Sequence, residues 1–149
     1  MYNFILAVHN ILRWIVLVLL IIALVRAYWG WFGKREWDPT DTRVGRFYSI
    51  SLDIQFLLGL ILYFFLSDLT KIVLSNFGAA MSAREPRFFG VEHVFFMILA
   101  VILAHVGVAA AKRAEEAVIK HRRSAIWFSL SLIAILLGMP WFRPLLPGF

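Results

Sequence analysis

Four apolar runs dominate this chain, about Phe4–Tyr28, Phe47–Leu66, Phe88–Ala111 and Ala125–Trp141. Each is close to the roughly 20 residues that a helix needs to cross the hydrocarbon of a bilayer. In lipid the backbone finds no water to bond with, so such runs must satisfy their own amides as helices. The expected fold is therefore an all-α integral membrane protein, an antiparallel four-helix transmembrane bundle formed by residues 1–149 as a single domain. Composition agrees: 62% of the residues are hydrophobic and 16% are charged, against about half and a quarter in a soluble domain.

The connections are polar and carry turn chemistry. The first, Trp29 to Arg46, has Gly30, Gly33 and the pair Asp38-Pro39 as turn signals. The second, Ser67 to Arg87, is partly apolar, and its stretch Leu69–Phe77 fits a short helix lying in the interface. The third, Lys112 to Ser124, should prolong the third helix before turning, and leave His121 facing water or headgroups. The first residues, Met1 to Leu6, lack a basic segment and a small-residue cleavage site, so the first run is expected to be retained.

Basic residues set the expected orientation. Arg26, Lys34, Arg35, Arg43 and Arg46 flank the first connection, and Lys112, Arg113, Lys120, Arg122 and Arg123 the third. The opposite side has only Lys71, Arg84, Arg87 and Arg143, plus Arg13 inside the first run. Ten cations against four place connections one and three in the cytoplasm and both termini outside. Tyr28, Trp29, Trp31, Trp37 and Trp127 gather at the cytoplasmic interface, and Trp141 marks the outer one. The net charge of +6 is accounted for by lipid headgroups and does not require nucleic acid. Cysteine is absent, which excludes disulfides, thiolate metal sites, iron–sulfur clusters and haem attached through C-x-x-C-H.

Two histidines stand out against this background. His9 is five residues past Phe4 and His93 five past Phe88, so each imidazole sits roughly 7–8 Å along its helix. The first and third helices run parallel, which brings both rings to one level near the outer face. Such a pair can serve as the two axial ligands of a haem iron. Equally, each ring can bond a neighbouring carbonyl or hydroxyl. Arg13, one turn after His9, needs a carboxylate, and Glu92 or a haem propionate are the candidates. Arg84 and Arg87 at the outer mouth can also hold propionates.

A second polar layer is expected nearer the cytoplasm. Asp53 and Gln55 lie early in the second run and His105 late in the third, so antiparallel packing puts them at one depth. An Asp in a span is a functional candidate: it can pair with His105, orient Gln55, or form part of a quinone pocket. No second histidine stands at this level to complete another haem.

Several segments together resemble a group of small four-span bacterial membrane proteins identified as b-type cytochromes. They are His9-Asn-Ile-Leu-Arg13-Trp14, Gln55-Phe-Leu-Leu-Gly59-Leu-Ile-Leu-Tyr63, Val91-Glu92-His93 and Gly138-Met-Pro140-Trp141. The resemblance implies one non-covalent haem b with His9 and His93 as axial ligands, in the inner membrane of a bacterium. The expected function is then transfer of single electrons, within a respiratory or photosynthetic complex or to a quinol or cytochrome partner. The alternative is an accessory subunit that stabilises a larger membrane complex, its histidines structural or pigment-binding. Neither a hydrolytic triad nor a catalytic residue is evident.

Overall fold

The computed structural model describes residues 1–145, which are all-helical with no strand among them. The chain starts with α1 (Tyr2–Phe32) and turns into α2 (Pro39–Ile61), which is prolonged by a π-helical turn, Leu62–Leu66. Three short helices follow, α3 (Asp68–Ser75), α4 (Phe77–Ser82) and α5 (Arg84–Arg87). A second π-helical turn, Phe88–Glu92, leads into α6 (His93–Lys112), and α7 (Ala117–Leu137) closes the fold.

Three segments are long and apolar enough to cross a membrane: Tyr2–Phe32, Pro39–Leu66 and Arg84–Lys112. Their outward faces carry Ile15, Val18, Val25, Ile54, Leu57, Phe95 and Ile102, all exposed, which is the surface expected where lipid is the solvent. The last helix differs. It begins eight residues before the expected Ala125 and takes in Lys120, Arg122 and Arg123. It also ends at Leu137, short of Trp141, with Gly138 at its C-cap and Pro140 beyond, which cannot continue a helix. Its uncharged part, Ser124–Leu137, is about 21 Å long, less than the roughly 30 Å of hydrocarbon. Even so, it packs along both α6 and α1.

Small residues allow this packing. Ala23, Ala100, Ala104 and Ala134 are buried in the central cluster around Leu20, and such small residues let helix backbones approach closely. Gly107 belongs to the same device, since a Cβ there would stand 2.8 Å from the Phe128 ring. One buried polar chain crosses the core. The Ser131 hydroxyl donates to the Ala100 carbonyl at 2.8 Å and lies 2.6 Å from the Tyr48 hydroxyl, whose proton is then free to face it. That chain ties α2, α6 and α7 together with every proton used.

The α1–α2 turn is fixed by charge. Asp38 caps α2, accepting from the amides of Thr40 and Asp41, and Asp41 bonds back to the Asp38 amide. Arg26 from α1 and Arg35 from the turn each reach both carboxylates, over 2.6–2.9 Å. Gly30, expected in the turn, is instead a buried residue of α1. His121 presses against it: a Cβ on Gly30 would come within 2.3 Å of the imidazole. The expected exposure of His121 is thus corrected, because the early start of α7 turns that ring inward to full burial beside Trp37.

Candidate functional site

His9 and His93 meet. Their ring centroids are 6.5 Å apart with planes at 68°. Two imidazoles bound to opposite sides of one iron would stand about 6 Å apart, given metal–nitrogen bonds of about 2 Å and ring nitrogens about 1 Å from their centroids. The two rings border a cavity of about 700 Å³, inside the roughly 300–1,000 Å³ range of cofactor sites.

Each ring is held by its surroundings. The Nδ1–H of His93 donates to the Gly138 carbonyl over 2.6 Å, and that carbonyl is available because α7 ends there. A neutral imidazole with Nδ1 protonated carries its lone pair on Nε2, and this nitrogen has no hydrogen bond among the described residues. Phe88 and Phe89 pack on the same ring, their centroids 6.0 and 5.9 Å away. On the other side, His9 lies against Gly59, where a Cβ would be 3.3 Å from its Cε1. His9 Nδ1 is buried without a hydrogen-bond partner among the described residues.

Both π-helical turns border this region. His93 follows directly on Phe88–Glu92, and its amide bonds back to the Phe88 carbonyl. Tyr63, in the other turn, donates its hydroxyl to the Gly90 carbonyl at 2.9 Å. The wide turn thus spends one carbonyl on a side chain from the facing segment, which locks the two turns together. Such turns are often found at functional sites.

The cations differ from expectation. Arg13 lines the cavity but meets neither Glu92 nor any other carboxylate among the described residues: its guanidinium bonds the Leu145 carbonyl, with Trp14 Nε1 donating to the same oxygen at 3.3 Å. Glu92 pairs instead with Arg87 at 2.8 Å, and both lie outside the cavity lining. The cause is helical geometry, since Glu92 precedes His93 by one residue and so points about 100° away from it. Arg143, which the sequence did not single out, does line the cavity. It is aimed by two bonds to Glu85, 2.9 and 3.0 Å, and lies 4.6 Å over the Phe89 ring.

Gln55 also changes layer. It lines the same cavity, and its amide donates to the His9 carbonyl at 2.9 Å. Asp53, two residues back and so about 200° around α2, faces the other way. There it accepts from His105 Nε2 at 2.9 Å, while His105 Nδ1 lies 3.3 Å from the Ser49 hydroxyl. Both nitrogens of His105 are occupied, which leaves none for a metal.

The donor set fits a haem b. Two imidazoles stand at the required separation, one with its second nitrogen on a backbone carbonyl as metal-bound histidines commonly are. Two guanidiniums, Arg13 and Arg143, border the same space and suit carboxylate groups. No protein-family model, curated protein or solved structure matches this chain, so the nature of the site is read from its own residues.

Proposed function

We propose that this chain is a four-span membrane cytochrome that carries single electrons through one haem b. His9 and His93 would be the axial ligands, between α1 and α6 on the outer side of a bacterial inner membrane, with both termini outside. The observation that carries this reading is the 6.5 Å separation of two rings that both border a cofactor-sized cavity.

The bound haem would supply one-electron chemistry at its iron. The protein's own part is positioning and electrostatics. Gly138 keeps the His93 proton on Nδ1 and so directs the Nε2 lone pair into the site. Gly59 leaves room for the His9 ring. Arg13 brings positive charge to the cavity edge, where it would balance a propionate and favour the reduced state, whereas Arg143 reaches that edge already paired with Glu85. Phe88 and Phe89 exclude water from the His93 side, which keeps the local dielectric low.

Expression with an ample haem supply tests this directly. The purified protein should show a Soret band and one haem per chain by pyridine haemochrome assay. A folded protein that stays colourless under those conditions overturns the proposal.

A further inference from the structure

The Asp53–His105 pair is a polar island on an apolar surface. The side chains are 43% and 54% exposed, and the exposed neighbours on the same two helices are Ile50, Ile54, Leu57, Ile98 and Ile102. Asp53 is six residues past Phe47 and His105 seven before Lys112, which places both about 9–10 Å inside the apolar part of their helices. Polar groups at such depth normally turn inward. This pair turns outward.

The hydrogen bonds dictate what it can take. A carboxylate only accepts, so His105 Nε2 is the donor to Asp53 Oδ1, and Nδ1 of the neutral ring accepts from Ser49. Ser49 itself is buried, which fixes the ring from behind. The remaining carboxylate oxygen, Oδ2, has no hydrogen bond among the described residues. The one feature left open toward lipid is therefore an acceptor, and its complement must be a donor that reaches this depth through the bilayer.

We propose that Asp53 and His105 form a lateral docking point for a lipid-soluble hydroquinone, with one phenolic hydroxyl donating to Asp53 Oδ2. A phenol is a strong neutral donor and brings no charge into hydrocarbon. Its ring and tail would lie along the isoleucine shoulders of α2 and α6. Hydroxyls fixed to phospholipid or glyceride headgroups stay at the interface and fall short of this depth. A second copy docked symmetrically by this face would set carboxylate against carboxylate. The proposal stands on this pair alone and does not depend on haem at His9 and His93.

The test is saturation binding of radiolabelled decylubiquinol, kept reduced under anaerobic conditions, to the full chain in phospholipid nanodiscs. Wild type should bind one equivalent saturably, and Asp53→Asn should bind at least tenfold more weakly. The dimethyl ether of the probe, which has no hydroxyl to donate, should not compete. Non-saturable uptake, equal binding by a folded Asp53→Asn, or full competition by the dimethyl ether overturns the proposal. So does a dimer that Asp53→Asn dissociates, because a second copy then covers the face. If Asp53→Asn fails to fold, competition on the wild-type protein alone decides.

Discussion

His93 Nδ1 lies 2.6 Å from the carbonyl oxygen of Gly138, 45 residues further along the chain. This bond joins the start of α6 to the end of α7 and decides which nitrogen of His93 is left to act. The proposed haem site depends on where α7 stops as much as on the histidines themselves.

Gly138→Ala should therefore disturb the site. The backbone there, at φ −85° and ψ 0°, suits any residue, so the effect is steric. The new Cβ would stand 2.5 Å from Met97 Cε and 2.9 Å from Phe96 Cβ. The methionine can swing aside, but Phe96 Cβ is fixed to its helix. A loss of about 1–3 kcal/mol is expected, with a shifted haem potential as the Gly138 carbonyl moves away from His93. Thermal melts and a redox titration check this; unchanged values in both would show that the contact is dispensable.

Gly30 and His121 form a second matched pair, through space rather than by a bond. Gly30→Ala puts a methyl group on top of the imidazole, and should cost about 1–3 kcal/mol. His121→Ala removes the obstacle, so the double variant should recover most of the loss that Gly30→Ala causes in the wild-type background. Simple additivity of the two changes in detergent melts would contradict direct contact.

Acid should loosen the α1–α2 turn. Desolvation works against the charge on Asp38, but bonds from Thr40 and Asp41 and the nearby Arg26 outweigh it. They bring its pKa from 3.8 down to about 2. A carboxyl lowered on folding stabilises the fold above its unfolded pKa, and that contribution disappears as pH falls through the folded value. Stability should thus decline between about pH 4 and pH 2, and Asp38→Asn should remove that part of the decline. Circular dichroism against pH measures it; identical acid profiles would refute the assignment.

The membrane-crossing helices and the meeting of His9 with His93 were legible because a rise of 1.5 Å per residue converts sequence spacing to depth. Facing was harder. Asp53 and Gln55 share a depth but stand about 200° apart around one helix, so grouping them by level alone merged two separate sites. Burial of His121 turned on the start of α7, and a basic run such as Lys120–Arg123 reads as connection until its helix is seen to pack on Gly30. The bond from Arg13 to Leu145 spans 132 residues and follows from no local pattern. The short helices between Asp68 and Arg87 lack the long periodicity that makes a span visible, although the helix expected near Leu69 is present as α3.

Axial ligation by His9 and His93 is read most directly from the reduced-minus-oxidised spectrum of the haem-loaded protein beside those of His9→Ala, His93→Ala and His105→Ala. A six-coordinate low-spin signal should be present in wild type and in His105→Ala, and absent from each of the other two. A wild-type spectrum from folded His9→Ala or His93→Ala would contradict axial ligation by that residue, and with it the account of the site.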